Sequence, residues 1–113
     1  MIDLSELTEA EREALIARVR DILVRVLDPE KIILFGSAAR GETGPDSDLD
    51  LLVVKSGVAH RRRLAQRIYR CLVGLEAPVD VLVVTPEDVE AFKDEPGTII
   101  GPALREGRVV YVA

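Results

Sequence analysis

The sequence predicts an α/β (α+β) fold in which a small mixed sheet is flanked by helices. Short β-branched apolar runs alternate with segments of helical periodicity along the 113 residues. Two of these runs, residues 49–55 and 79–84, are separated by a full helix, which implies a parallel crossover. The run before them, residues 31–35, leads to its successor through a loop, which favours an antiparallel pair. We therefore expect one sheet that contains both a parallel and an antiparallel pair of strands.

The first elements have clear boundaries. Thr8 and Glu11 have the spacing of a capping box, which predicts that a helix begins there and continues to Asp28-Pro29. Its apolar residues recur on one helical face, namely Leu15, Ile16, Val19, Ile22, Leu23, Val26 and Leu27. Residues 31–35 are short, β-branched and apolar, and they stop at Gly36, which is typical of a strand buried on both faces.

The later elements follow from turn residues and caps. Glycines and a proline within residues 38–47 allow at most one helical turn and a loop, and residues 49–55 form the second strand. A second helix is predicted over residues 59–75, with its inward side chains being Leu64, Ile68, Cys71, Leu72 and Leu75. Pro78 opens the third strand, Thr85-Pro86 begins a third helix, and a helical turn at 99–105 precedes a strand at 109–112.

Composition limits the class of protein. The length suits a single domain over residues 1–113. No apolar run exceeds six residues, and the first residues lack the pattern of a secretory signal, so we expect a cytoplasmic protein without a membrane span. The net charge of −5 argues against broad nucleic-acid binding. The single cysteine, Cys71, cannot form an internal disulfide, and its place in a helical apolar stripe predicts a core side chain rather than a nucleophile.

Three aspartates mark the entrances of two predicted strands. Asp48 and Asp50 are two residues apart and project from the same face, about 7 Å apart along the chain. Asp80 is one residue into the third strand, so it lies beside Asp50 if the two parallel strands are neighbours. Crowded carboxylates repel one another and require cations or protons. Mg²⁺ suits such oxygen ligands, and two ions about 4 Å apart can clamp an in-line phosphoryl displacement.

A Gly36-Ser37 turn ends the first strand where Asp48 begins the second. Glycine lets a phosphate approach the backbone, and the serine hydroxyl with nearby N–H groups can hold phosphate oxygens. Taken singly, these residues are more often structural: Asp48 and its neighbours suit a turn and cap, and Asp80 suits a solubilising edge charge. Their joint spacing favours a phosphate and metal site.

These residues resemble the signature of the DNA polymerase beta-type nucleotidyltransferase superfamily, and the layout is similar to its minimal nucleotidyltransferase (MNT) domains, the antitoxin halves of MNT-HEPN modules. The resembling segments are Gly36-Ser37, Arg40-Gly41, Ser47-Asp48-Leu49-Asp50-Leu51 and the ending Leu104-Arg105-Glu106-Gly107. The sequence departs from the pattern at Ala38, where many relatives carry a basic residue. The resemblance implies a polymerase beta-type fold and nucleotidyl transfer from a nucleoside triphosphate.

The resemblance also implies roles for individual residues. Asp48 and Asp50 would bind two Mg²⁺ ions, with Mn²⁺ as an alternative, and Asp80 would hold the ion that activates the acceptor hydroxyl. Ser37, with Gly36, would grip the triphosphate. Arg40 is either a phosphate contact or the partner of a nearby acid, Asp46 or Glu42.

By the same analogy, the reaction is AMP transfer from ATP onto a tyrosine of a HEPN toxin, because the chain is too short to present an acceptor itself. Two rivals stay open: a module that neutralises its partner by contact alone, and a nucleotide-sensing domain. Homo- and hetero-oligomers are equally open. The second helix has a basic start, from His60. This pattern indicates a solvated face paired with nearby acids more often than a docking surface.

Overall fold

The computed structural model describes residues 1–113, and one sheet organises them. Its strands are β1 (Lys31–Phe35), β2 (Leu49–Val54), β3 (Val79–Val84) and β4 (Arg108–Val112), in the spatial order β3-β2-β1-β4. Strand β1 is antiparallel to both β2 and β4, whereas β2 and β3 are parallel. The predicted mixed sheet is confirmed, including the direction of each strand pair that the connections implied.

Five helices surround the sheet, and 3₁₀ turns at Leu4–Glu6 and Val73–Leu75 supplement them. The helices are α1 (Glu9–Leu27), α2 (Gly36–Ala39), α3 (Arg61–Leu72), α4 (Pro86–Phe92) and α5 (Ile100–Glu106). The predicted capping box at Thr8 forms, since the Thr8 N–H donates to Glu11 Oε1 (2.8 Å). Thr85, predicted to begin a helix, makes the same exchange with Asp88. None of the helices has the length and apolar composition needed to cross a bilayer.

Helix α3 is shorter than the predicted segment. It begins at Arg61, since the backbone of His60, its N-cap residue, is not helical (φ −132°, ψ 89°), and His60 makes no side-chain capping bond. The last part of the predicted segment continues as a 3₁₀ turn to Leu75. The prediction that Cys71 is a core residue is wrong, because its side chain is exposed. Only a narrow stripe of α3 reaches the sheet, so Ile68 and Leu72 are buried while Cys71 lies beside that stripe.

The two faces of the sheet carry separate cores. Helices α1 and α3 cover one face, whose buried strand residues are Ile32, Leu34, Leu49, Leu51 and Val53. The other face is closed by α5 over Ile33, Leu52, Val54 and Val84. Asp50 shares this second face with Leu52, by strand alternation. The buried residues of β2 and β3 on this face come later in their strands than Asp50 and Asp80. The first residues of both strands therefore stay accessible.

Candidate active site

Strand pairing assembles the predicted acidic cluster. Asp50 is the register partner of Phe35 on β1 and of Asp80 on β3. Neighbouring strands lie about 4.8 Å apart, so this register places the Asp50 and Asp80 side chains next to each other on one face. Asp48 immediately precedes β2. The structure thus brings all three aspartates to one end of the sheet, beside the turn that ends β1.

The three carboxylates interact electrostatically. Asp50 is half-buried, whereas Asp48 and Asp80 are exposed. Burial raises the pKa of Asp50 above its ordinary value, and the negative charges of Asp80 and then Asp48 raise it further. Each cause penalises the ionised form of Asp50, so a bound cation or a proton would relieve the penalty. A site with this property is suited to a positively charged ligand.

Glycine at position 36 is required by the backbone and by the carboxylate beside it. Gly36 has a φ of +73°, in the left-handed region that favours glycine. A Cβ added there would overlap the Asp50 carboxylate oxygen and lie 3.2 Å from its Cγ. The turn therefore packs its bare Cα against Asp50, and any side chain would displace the carboxylate.

Ser47 connects this turn to the aspartate loop, a role that sequence reasoning missed. The Ser37 hydroxyl donates to Ser47 Oγ (3.2 Å), and the Gly44 N–H donates to the same oxygen (2.7 Å). The loop that carries Asp48 is thereby held against α2. The available signal was the position of Ser47, which directly precedes Asp48 and suits a turn.

Arg40 lies on the same turn as Ser37, because its N–H donates to the Ser37 carbonyl at 3.2 Å. Of the partners considered for its side chain, the structure shows Glu42, whose Oε2 is 3.0 Å from Arg40 Nε. Both side chains are exposed, and ion pairs of this kind contribute little. The guanidinium can therefore leave Glu42 for a phosphate at little cost.

The donor set fits a hard divalent cation. All three candidate ligands are carboxylates. A depression of about 260 Å³ opens beside Asp48, and its lining includes Asp46, Ser47, Pro78 and residues 1–3 but neither Asp50 nor Asp80. No three His, Cys, Asp or Glu side chains converge tightly enough to form a metal cage of their own. Mg²⁺ rarely uses such cages, because it shares a few carboxylates with substrate phosphates and water.

The fold and the site define a nucleotidyltransferase domain with the polymerase beta-like fold. The family profile described as "Nucleotidyltransferase domain" matches residues 16–102, and the chain belongs to that family. No curated protein sequence matches the chain.

Three solved structures resemble the chain. The toxin-antitoxin MntA-HpeT, in a mutant form, has a TM-score of 0.61 and 14% identity over 86% of this chain and 73% of its own. A toxin-antitoxin with AMP-PNP has a TM-score of 0.63 and 15% identity over the same shares. A protein of Sulfolobus solfataricus assigned as a nucleotidyltransferase has a TM-score of 0.57 and 18% identity, over 95% and 91%. At these identities, the likeness concerns the fold.

Proposed function

We propose that residues 1–113 are a single minimal nucleotidyltransferase domain that acts as a cytoplasmic antitoxin. It transfers AMP from ATP to a tyrosine hydroxyl of a HEPN-family partner toxin. The observation that carries the proposal is the register that pairs Asp50 with Asp80 while Gly36 abuts the Asp50 carboxylate. Family membership supports the chemistry, and the structural likeness to toxin-antitoxin proteins, one with AMP-PNP, supports the partner and the nucleotide.

Asp48, Asp50 and Asp80 are the proposed ligands of two Mg²⁺ ions, for which Mn²⁺ can substitute. When bound, these ions would neutralise the triphosphate and lower the pKa of the acceptor hydroxyl. On the proposed scheme, Ser37 and Gly36 hold the triphosphate. The Ser37 hydroxyl exchanges its hydrogen bond with Ser47 for one to a phosphate oxygen, and Gly36, which has no side chain, leaves room for the phosphate. Arg40 exchanges Glu42 for another phosphate oxygen.

In the proposed reaction, the acceptor oxygen forms a bond to the α-phosphorus of ATP while the bond from that phosphorus to the β-phosphate bridging oxygen breaks. Pyrophosphate leaves, and the hydroxyl proton passes to the Asp80 carboxylate or to water. Asp80 is exposed at the edge strand, so an acceptor on another protein can reach it. The half-buried Asp50 stays fixed between the strands.

Calorimetric titration of ATP tests the metal part of the proposal. ATP should bind more tightly with Mg²⁺ present than with a chelator, because phosphate oxygens complete the coordination of the ions. Equal affinity under the two conditions would contradict the metal scheme.

The decisive variant is Asp80→Asn, measured by transfer of label from radiolabelled ATP to the co-purified toxin. We expect retained ATP binding and a loss of transfer of about 10²–10⁴-fold, because hydroxyl activation belongs to the transition state. Asp94→Asn is the matched control, since Asp94 is an exposed carboxylate outside the site. Full neutralisation of the toxin by Asp80→Asn protein that does not label it would instead favour a module that acts by contact. ATP binding by the wild-type protein, without transfer to the toxin and without neutralisation, would favour a nucleotide sensor.

A further inference from the structure

Helix α3 carries an excess of positive charge that the fold does not neutralise. Its twelve residues contain five arginines and no acid, although the chain has a net charge of −5. Arg61 pairs with Asp88 at 2.8 Å. The remaining four, which we call the arginine ridge, are exposed and have no carboxylate partner within 4 Å: Arg62, Arg63, Arg67 and Arg70. The sequence analysis predicted that the basic face of this helix pairs with nearby acids. The structure shows such a pair for Arg61 only.

The arginines in the first turn of α3 work against the helix that carries them. The N-terminus of a helix has a partial positive charge, so basic residues in the first turn are unfavourable and an acid or a cap is preferred. In α3 the first turn consists of arginines, and His60 makes no capping bond. Arg62 and Arg63 therefore lower the stability of α3 in the isolated domain, whereas Arg70 lies in the last turn, where a positive charge is favourable. The unfavourable charges of the first turn point to a role outside the domain.

An apolar groove lies on the β3 side of α3, and of the five arginines only Arg61 lines it. It lies between α3 and the edge strand β3, has a volume of about 370 Å³, and is lined mainly by Leu64, Ile68, Tyr69, Leu72, Val81 and Val83. A second depression of about 280 Å³ shares Tyr69 and Leu72 with it and ends at Asp48. Together the two depressions extend from α3 to Asp48, the nearest of the three aspartates, whereas Asp50 and Asp80 line neither of them.

Two large apolar side chains stand exposed among the arginines. Tyr69 is 70% exposed and Val73 is 54% exposed. Counted from Arg62, Tyr69 is at position i+7, Arg70 at i+8 and Val73 at i+11. Helical spacing therefore puts these side chains on one face of the helix. Arg62 and Arg70 thus border this apolar strip along the helix, while Glu76 borders it beyond Val73. An apolar strip beside unpaired positive charge is typical of a surface that meets an acidic partner.

A second copy of the chain is a poor occupant of this surface. Two-fold dimers bring the same patch of each subunit together, so the arginine ridge of one copy would face that of the other. Like charges in contact cost several kcal/mol across an interface. The occupant must instead be acidic and carry apolar side chains for the groove.

We propose that the α3–β3 groove and its arginine ridge dock an acidic, partly apolar surface of the partner toxin. This inference rests on the proposed function, and it adds where the acceptor protein sits. A partner seated in the groove contacts Asp48 at the end of the second depression. To present the acceptor hydroxyl to Asp50 and Asp80, which lie on the other face of the sheet, it reaches around the open edge of β3.

Charge reversal on the ridge tests the docking site, with the HEPN-family toxin of the proposed function as the probe. The double variant Arg62→Glu/Arg70→Glu should weaken toxin binding about 10- to 100-fold in calorimetry while leaving ATP affinity unchanged. The matched control is Arg18→Glu/Arg25→Glu on α1, where both arginines are exposed and unpaired; it makes the same change in net charge. Wild-type affinity should also fall as the salt concentration rises.

A second pair of variants tests the apolar strip. Tyr69→Ser/Val73→Ser should weaken toxin binding about tenfold or more, whereas Val109→Ser/Val112→Ser on the opposite edge strand should leave it unchanged. All four residues are exposed, so their folding cost is small, and circular dichroism verifies that each variant is folded.

The outcomes separate the docking site from the function. If wild-type protein binds and labels the toxin while both groove variants do so equally well, the docking site is wrong and the proposed function stands. If ridge variants lose affinity for poly(U) RNA but keep that for toxin, the ridge is a nucleic-acid surface and the docking site is again wrong. If wild-type protein neither binds nor labels the toxin, both proposals fail.

Discussion

Helices α1 and α3 pack on the same face of the sheet, yet they satisfy the local rules of helix formation to different degrees. Helix α1 has a complete capping box, two acidic residues in its first turn and five buried apolar side chains. Helix α3 has no capping side chain, begins with three arginines and buries two residues. The sequence of α1 serves the fold, whereas much of the sequence of α3 serves neither helix stability nor the core.

The same contrast separates α1 from the acidic strand entrances. Along α1, propensity, capping and burial agree, as is usual where selection acts on stability. At the start of β2, a carboxylate is desolvated beside two others, which opposes its ionisation. Local rules are commonly broken at functional sites, and the conflict is tolerated because the rest of the fold is stable. Four stability measurements can test this contrast.

The largest effect is expected from Leu23→Ala in α1. Leu23 is 1% exposed, so its truncation should lower the free energy of unfolding by about 2–5 kcal/mol in urea denaturation. Leu64→Ala in α3 is the comparison, and because Leu64 is only half-buried its cost should be clearly smaller. Equal costs would mean that α3 supports the core as strongly as α1.

Thr8→Ala should cost about 1 kcal/mol, because it removes the oxygen that accepts the Glu11 N–H at 3.1 Å. Thr8→Ser retains a capping hydroxyl and should cost far less. If both variants unfold at the same denaturant concentration as the wild type, the capping box does not stabilise α1.

His60→Asp should stabilise the protein by about 0.5–1 kcal/mol, because it would supply both a cap and a negative charge to the start of α3. His60→Asn separates the two effects, since it can cap without the charge. Thermal unfolding at low salt is the measurement. Absence of any gain would show that the arginines at the start of α3 carry no local penalty.

The smallest effect is expected from Asp50→Asn, which should raise the apo melting temperature by a few degrees at pH 7. The pKa of Asp50 is raised in the folded state. The wild-type protein therefore loses stability as the pH rises from the pKa of Asp50 in the unfolded state, about 3.9, through its pKa in the folded state. The gain of the variant should therefore vanish in acid. A large loss of stability in the variant at neutral pH would mean that Asp50 holds the strand entrance together.

Much of the fold could be read from local signals. The helix starts and the strands were predicted by features that act over a few residues: the capping box at Thr8, the capping hydroxyl of Thr85, the breaks at Pro29 and Gly36, and the β-branched runs. Predictions failed where burial depends on a distant surface. Cys71 has the periodicity of a core residue, but α3 meets the sheet along a stripe too narrow to include it.

By itself, the sequence determined the secondary structure, the mixed strand directions and the choice of Asp48, Asp50, Asp80 and the Gly36-Ser37 turn as candidates, since spacing and connection length carry that information. Only the tertiary structure decided that a Cβ at position 36 would strike Asp50, and that Ser47 ties the turn to the loop. It alone also placed β3 at the edge, where the α3 groove is open. The physical reason is that close packing and exposure arise between segments distant in the chain, and no local pattern encodes the distance between them.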